Sequence, residues 1–479
     1  MPSVVMDGIQ THHFRAPDTP AAAERIADRV AALAADFDAA GAAELHDLLA
    51  EQRALAIADD LLRMIRTRRG PEGLSSEGLR TTALWLCEHG TRREAVKIGI
   101  ALLGETAQEP DLELLLRLGA LEELTLFAVV AVKKNWAAPG VYRLARRVEG
   151  WGRIHAVERL KGCDDPQVKA WLLRGGYRNG VLDEYLSWIA ATTGDLLGAL
   201  QAPSVDDELL DGAGGILHSL AVGGPAEDIR HYDDALAALH RYIDLVGEAE
   251  PTLRRLCDLA QITRLLRGDR KGLDWPEGAR EQVVARIDRL LERPVWSRIA
   301  LAHLAEPEDD YTFNKALSCA FELGLEVRGH VLDHLEDNPG NRFVWQWAML
   351  WASAEDVGEL VACAEHLLLL NPLGGGPEEG TGSGGREVDI DDILGVIVQE
   401  LGRFPGAGTA LVRAALVGDM PWNRNMALRT LTAWSEHDPA ALPADAAEWL
   451  HTAEQQEPNE KVRETIVGLL TALPPTPPT

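Results

Sequence analysis

The sequence predicts an all-α fold in which short helices stack side by side as hairpins, an α-solenoid. Aromatic residues make up only 5% of the 479 residues, and Ala and Leu, which favour helices over strands, dominate the chain. Apolar residues recur at three- and four-residue spacing along most of the sequence, as they do on the face of an amphipathic helix. We therefore expect helix to exceed about half of all residues, against a globular average of roughly one third.

The helical segments are short and their breaks are frequent. Each segment runs for about 10–16 residues and ends at Gly, Pro, Asn or Asp, as at 109–111, 164–166 and 223–225. Many short helices with short connections are typical of helical repeats. In such arrays a single hairpin is too apolar to stand alone and buries one face against its neighbours.

Three stretches resemble the first helix of HEAT-type repeats, in which a Pro or Asp turn precedes small and branched apolar positions. They are residues 165–173, 421–431 and 458–470. The resemblance implies an irregular HEAT-like α-solenoid, a superhelical array of helical hairpins. The spacing of the three stretches is irregular, so an irregular all-α bundle remains an alternative.

Changes in composition divide the chain into five predicted segments. Residues 18–68 read as two long Ala-rich helices broken near Gly41, and seven of the twelve residues 374–385 are Gly, which is too polar and flexible a composition to form a core. The segments are an N-terminal helical cap at 1–72, a main HEAT-like array at 73–372, a flexible Gly-rich acidic loop at 373–388, C-terminal HEAT-like repeats at 389–474 and a disordered tail at 475–479.

Charge and cysteine usage limit the possible partners and location. The 75 acidic residues outnumber the 47 basic ones, which gives a formal net charge of −28. Broad nucleic-acid binding, which needs a dominant basic surface, is therefore disfavoured. The sequence begins with no secretion signal, and no apolar run approaches the length of about 20 residues that spans a bilayer. The five cysteines are widely spaced and form no Cys-x-x-Cys pair. We therefore expect a cytoplasmic protein.

No sequence motif identifies a catalytic centre. Residues 380–385 satisfy Gly-x-Gly-x-x-Gly, but they follow other glycines rather than a buried strand, so we interpret them as part of the loop. His330 and His334 have the spacing of a metal-binding helix face but lack a third ligand, and we expect an exposed pair instead. From the residues alone we expect no metal and no cofactor.

The stretch 141–180 contains the best candidate site. It carries nine basic and four acidic residues in an otherwise acidic chain. Arginines and aromatic rings on adjacent helices can form a concave groove that binds carboxylates or other anions. The predicted partner or ligand groove consists of Trp151, Arg153, His155, Glu158, Arg159, Trp171, Arg178, Asn179 and Tyr185. A ladder of ion pairs between repeats would use the same residues, and both interpretations remain open.

Part of the chain resembles a bacterial family of all-helical proteins commonly labelled limonene hydroxylases. The stretches that carry the resemblance are 151–160 (WGRIHAVERL), 171–197 (WLLRGGYRNGVLDEYLSWIAATTGDLL), 206–217 (DDELLDGAGGIL) and 223–235 (GGPAEDIRHYDDA). The family label implies a monoterpene monooxygenase that uses a nicotinamide cofactor. If the family has a site, the matching residues here are Arg153, His155, Glu158, Arg159, Trp171, Arg178, Asn179 and Tyr185.

The residues favour a non-enzymatic helical-repeat scaffold that binds a protein or peptide on a concave surface. Its acidic exterior would suit a basic partner, whereas the stretch 141–180 would suit an acidic element. The hydroxylase implied by the resemblance is the alternative function. A HEAT-like nucleic-acid binder that uses the basic stretch is the third.

We predict that residues 373–387 are dispensable for folding. Replacing them with a short Gly-Ser turn should leave the melting temperature nearly unchanged, because the entropy of loop closure grows only logarithmically with loop length. Thermal denaturation followed by circular dichroism measures this. A large fall in the melting temperature would mean that the segment packs against the helices.

Overall fold

Helices account for almost all regular structure in the described part of the chain. A computed structural model describes residues 20–69, 73–268, 272–368, 390–437 and 441–472, together with Pro377. Within these ranges there are 25 α-helices and no strand, and helices hold 75% of the residues. The predicted all-α fold is therefore confirmed.

The described residues fall into two compact units. The first lies within Met1–Glu250 and Gln261–Leu290, and the second within Pro251–Ala260 and Leu291–Thr479. The helices up to residue 250 are α1 (Pro20–Ala35), α2 (Ala39–Ala50), α3 (Ala54–Arg68), α4 (Ser76–His89), α5 (Arg93–Thr106), α6 (Asp111–Gly119), α7 (Glu122–Ala145), α8 (Gly150–Glu158), α9 (Pro166–Trp171), α10 (Glu184–Gly194), α11 (Leu196–Leu200), α12 (Asp207–Val222) and α13 (Ala235–Glu248). A π-helical turn at Leu172–Gly176 and a 3-10 turn at Ile229–His231 complete this stretch.

The remaining helices are also short. They are α14 (Leu253–Arg267), α15 (Ala279–Leu291), α16 (Pro294–Ala305), α17 (Asp310–Glu322), α18 (Arg328–Asp337), α19 (Arg342–Trp351), α20 (Val357–Leu367), α21 (Ile390–Leu401), α22 (Thr409–Val417), α23 (Pro421–His437), α24 (Ala446–Gln456) and α25 (Glu460–Ala472). Among the described helices, none is long and apolar enough to cross a membrane.

Within each unit, a helix packs mainly on helices one or two places away along the chain. In the first unit α4 packs on α5, and α7 packs on both α5 and α6. In the second unit α16 packs on α17, and α23 packs on α21 and α22. Packing between chain neighbours is the defining property of helical-repeat arrays, so each unit is built as an array of helical hairpins. The assignment to the HEAT class remains a prediction.

The prediction of two long helices over residues 18–68 was wrong, because the structure has three. Asp38 caps the N-terminus of α2, where its side chain accepts a hydrogen bond of 2.7 Å from the backbone N–H of Gly41. A second break separates α2 from α3 at residues 51–53. That break contains neither Gly nor Pro, which is why composition did not reveal it.

Two predicted segments cannot be compared with the structure. The Gly-rich loop 373–388, apart from Pro377, and the tail 475–479 lie outside the described residues. The segment boundaries proposed from composition remain predictions.

A buried ion pair joins two helical segments of the second unit. The Arg424 guanidinium on α23 donates two hydrogen bonds to the Glu457 carboxylate just after α24, at 2.7 and 2.9 Å. The same guanidinium also donates to the carbonyl oxygens of Gly418 and Asp419, at 2.9 and 2.6 Å. Both charged side chains are 1% exposed. Because neither charge can reach water, each depends on the other for stability.

We predict that Glu457→Ala lowers the free energy of unfolding by about 3–5 kcal/mol, because it leaves the Arg424 charge buried without its carboxylate. The neighbouring exposed substitution Gln456→Ala is the control and should change stability by no more than about 0.5 kcal/mol. Urea denaturation measures both. An equally small loss in the two variants would show that the pair contributes nothing to the unit.

Candidate functional site

One face of α8 brings three of the predicted groove residues against Tyr185 of α10. The Trp151 ring lies 5.3 Å from the Tyr185 ring and 6.3 Å from the His155 ring, measured between centroids. His155 Nδ1 lies 3.9 Å from a carboxylate oxygen of Glu158. Trp151, His155 and Tyr185 are all buried. Burial, followed by the negative charge of Glu158, raises the pKa of the Tyr185 phenol, so this hydroxyl stays protonated at neutral pH.

A second group of predicted residues lies on a different side of α8. Arg153 is two residues from Trp151, which turns its side chain about 200° around the helix axis. Its Nε donates to the Val148 carbonyl at 2.7 Å, and Nη1 donates to the Arg178 carbonyl at 3.3 Å. The guanidinium also stacks 5.3 Å above the Trp171 ring. Burial lowers the pKa of Arg153 from its ordinary value. These contacts hold the backbone after the π-helical turn against α8.

Asn179 acts as a hydrogen-bonding centre for the loop before α10. Its Oδ1 accepts from the backbone N–H groups of Val181 and Leu182 at 2.8 and 2.9 Å, and its Nδ2 donates to the Leu182 carbonyl at 2.9 Å. Its backbone carbonyl accepts from the N–H of Gly150 at 2.7 Å. Asn179 is 2% exposed, so its amide has a structural role in fixing this loop at the start of α8.

Only two of the nine predicted residues line the cavity in this region. The cavity has a volume of about 280 Å³, and its lining consists of Glu158, Lys161, Tyr185, Ile189, Pro225, Ala226 and Glu227. Lys161 Nζ lies 3.6 Å from the Glu227 carboxylate and 4.3 Å from the centroid of the Trp188 ring. Arg159 instead folds back, and its Nη1 donates to the His155 carbonyl at 2.7 Å.

The structure thus separates the predicted groove into distinct parts. Trp151, His155, Asn179 and Tyr185 are buried, and Arg178 is exposed. A partner could therefore touch only some of the nine side chains without moving the helices. The binding role predicted for this groove stays a prediction.

Sequence reasoning missed a surface cluster of aromatic rings in the second unit. Helix α19 carries Phe343, Trp347 and Trp351 at intervals of four residues, and α17 adds Phe321. The ring centroids of Phe321, Trp347 and Trp351 form a triangle with sides of 5.6, 5.9 and 6.3 Å, and their planes are parallel to within 11°. The Phe343 ring adjoins Trp347 at 5.7 Å. We call these four residues the aromatic shelf.

The aromatic shelf is accessible to solvent. Trp351 is 47% exposed, and the other three residues are half-buried. The opposite face of α19 supplies the core, where Val344, Trp345, Ala348 and Met349 are buried. The Phe-x₃-Trp-x₃-Trp spacing was visible in the sequence as a signal of one aromatic helix face. However, α19 is apolar on nearly all sides, so periodicity alone did not show which rings face outward.

Two residues of the aromatic shelf, Phe321 and Trp351, also line an adjoining cavity. Its volume is about 250 Å³, and Glu326, Arg328 and Asp356 also line it. The Arg328 guanidinium lies 3.1 Å from the Asp356 carboxylate and 3.5 Å from the Glu359 carboxylate. Glu359 does not line the cavity. A hydrogen bond from the Ser353 hydroxyl, 2.6 Å long, lowers the pKa of the Asp356 carboxyl and keeps it ionised. We call this space the acidic cavity.

The expectation that His330 and His334 form an exposed pair was wrong for His334. Its ring stacks 3.8 Å from the Phe313 ring, and Nε2 lies 3.0 Å from the Asn341 amide nitrogen. Burial lowers the pKa of His334, which favours a neutral ring in the packing between α17 and α18. Among the described residues, no group of three His, Cys, Asp or Glu side chains has the geometry to hold a metal ion.

We predict that two adjacent substitutions separate framework from surface in the predicted groove. Asn179→Ala should lower the free energy of unfolding by about 1–3 kcal/mol, because it removes the hydrogen bonds of a buried amide to the backbone of Tyr177, Val181 and Leu182. Arg178→Ala, at an exposed position, should change it by no more than about 0.5 kcal/mol. Urea denaturation of both variants checks the difference. A large loss for Arg178→Ala would place this arginine in the framework instead.

Comparisons with known proteins assign no family to the chain. No family model and no curated protein matches it. Among solved structures, it is similar to a protein described as a circular tandem repeat protein with novel repeat topology and enhanced subunit contact surfaces. The match has 14% sequence identity, covers 95% of this chain and 96% of the other, and has a TM-score of 0.16. At this TM-score the likeness supports no argument, and the fold rests on the helices and their packing.

Proposed function

We propose that this chain is a helical-repeat scaffold that binds a protein or peptide partner through the aromatic shelf. Arrays of helical hairpins present long, continuous surfaces and are suited to such binding. The observation that carries the proposal is a set of three parallel aromatic rings on α17 and α19, of which Trp351 is 47% exposed and Phe321 and Trp347 are half-buried. Tryptophan is among the residues most enriched at the energetic centres of protein interfaces.

The area that remains exposed is large enough to matter for affinity. A tryptophan can bury about 150–250 Å², and Trp351 keeps 47% of its surface in water. Covering that remainder would remove about 100 Å² of largely apolar surface, which corresponds to about 2–3 kcal/mol. This is the magnitude measured for interface hot spots.

The basic stretch 141–180 is less available for binding than its charge suggests. Arg174 lies 2.7 Å from the Asp206 carboxylate, and Arg143 is paired with Glu113. Lys161 and Lys169 lie close to Glu227 and Asp164 respectively. Carboxylates of the same chain therefore neutralise part of the positive charge. The nucleic-acid binder and the monoterpene hydroxylase stay predictions, and the aromatic shelf supports neither.

We predict that peptides selected from a phage-displayed random library for binding to the chain will depend on the aromatic shelf. Trp351→Ala should weaken their binding about tenfold or more, because an interface hot spot contributes about 2 kcal/mol. Trp422→Ala is the matched control, since Trp422 on α23 is 46% exposed but lies outside the shelf. Calorimetric titration of each selected peptide measures the change.

Peptides that bind the Trp351→Ala variant as tightly as the unchanged chain would contradict the proposal. The same conclusion would follow if both tryptophan variants weakened binding equally. Thermal melts of the two variants confirm that each is folded at the temperature of the titration.

A further inference from the structure

Acidic residues are frequent in the two sequence segments before and after α19. The segment 306–337, which contains α17 and α18, has nine acidic and two basic residues. Residues 351–368, which contain α20, have four acidic residues and neither Lys nor Arg. The two basic residues of the first segment are Lys315, whose ammonium lies 4.4 Å from the Tyr311 ring, and Arg328, which contacts Asp356 and Glu359. The two segments that flank α19 in sequence are therefore strongly negative, and Glu326 and Asp356 are the acidic members of these segments that line the cavity next to the shelf.

Two further basic residues lie at the ends of α19. Arg342 begins the helix, and Arg403 donates to the carbonyl oxygens of Met349 and Leu350 at its C-terminal end, at 2.6 and 3.0 Å. Arg403 also lies 3.2 Å from the Glu400 carboxylate. A basic group at a helix C-terminus is stabilised by the carbonyls that it satisfies. The acidic cavity itself contains one cation, Arg328, and two carboxylates, Glu326 and Asp356.

The acidic cavity offers the combination of groups that recognises a guanidinium. Phe321 and Trp351 supply aromatic rings, and Glu326 supplies an exposed carboxylate that accepts a 2.9 Å hydrogen bond from the backbone N–H of Arg328. A carboxylate can accept about four hydrogen bonds, so Glu326 retains capacity for a bidentate partner. Guanidinium groups stack readily on aromatic rings. The chain already uses this contact elsewhere, since Arg413 stacks 5.3 Å above Trp449.

We propose that the aromatic shelf and the acidic cavity bind a basic, arginine-containing peptide segment of a partner protein. An arginine of the partner lies against Trp351 and directs its guanidinium toward Glu326. This inference rests on the proposed function and adds the chemistry of the partner. Charge complementarity selects an arginine-containing segment over an acidic or neutral one.

The direct test uses three fluorescein-labelled nine-residue peptides that alternate glycine with arginine, citrulline or glutamate. Citrulline keeps the shape of arginine but removes its charge. Fluorescence anisotropy should show binding of the arginine peptide, binding of the citrulline peptide at least about tenfold weaker, and no binding of the glutamate peptide. Affinity for the arginine peptide should also fall as salt is raised, because exposed charges are screened.

Matched variants locate the binding to the shelf. Trp351→Ala should lower the affinity for the arginine peptide about tenfold. Glu326→Gln should lower this affinity severalfold, because the substitution removes the charge but keeps the shape of the side chain. The controls are Trp422→Ala and Glu308→Gln, which alter an equally exposed tryptophan outside the shelf and an acidic residue outside the cavity. Both controls should leave the affinity within about twofold of the unchanged chain, because neither residue belongs to the shelf or to the cavity lining.

The outcomes distinguish this inference from the proposed function. One outcome is that library-selected peptides require Trp351 but contain no arginine, while the arginine peptide does not bind. In that case the shelf is a binding surface, but the proposal of a basic partner is wrong. If Trp351→Ala affects neither the selected peptides nor the arginine peptide, both proposals fail. If sedimentation shows a dimer that Trp351→Ala converts to a monomer, a second copy covers the shelf and the basic partner is again wrong.

Discussion

The structure depends on the burial of broad apolar helix faces against helices that are close in sequence. In the first unit, α7 packs on α5, α6 and α8, and in the second α23 packs on α21 and α22. Such packing leaves few positions where a polar group can be buried without a dedicated partner. The bidentate contact between Arg424 and Glu457 and the hydrogen bonds of Asn179 are the local solutions to that constraint.

The aromatic shelf differs from these buried contacts, because its rings are only partly covered by the helices around them. Helix α19 already buries Val344, Trp345, Ala348 and Met349 on its inner side. Its outer rings stack on one another and on Phe321 but retain substantial exposure, up to 47% at Trp351. Polar side chains at these positions would suit an outer helix face better. The proposed partner would cover the part of these rings that remains in water.

Sequence reasoning predicted the architecture well and the binding surface poorly. Helical periodicity and the breaks between segments were sufficient to predict an all-α array, because both are local properties. The break before α3 was missed because no Gly or Pro marks it. Counting charges in 141–180 overestimated the accessible groups, since Arg153 and Arg159 direct their guanidinium groups to backbone carbonyls of their own chain. Such contacts depend on tertiary placement and leave no periodic signal.

The aromatic shelf was harder to predict for a different reason. Its three residues on α19 are regularly spaced, but Phe321 comes from α17, and its proximity to Trp347 and Trp351 is set by the packing of two helices. A helix that is apolar on nearly all sides reads from sequence as wholly buried. Only the arrangement of neighbouring helices shows which of its faces is left in water.

The most direct test of this account is a crystal structure of the chain bound to a library-selected peptide. The account predicts that the peptide contacts Trp347 and Trp351 and covers the exposed part of the Trp351 ring. A peptide bound elsewhere, with the rings of Trp347 and Trp351 still facing solvent, would contradict it.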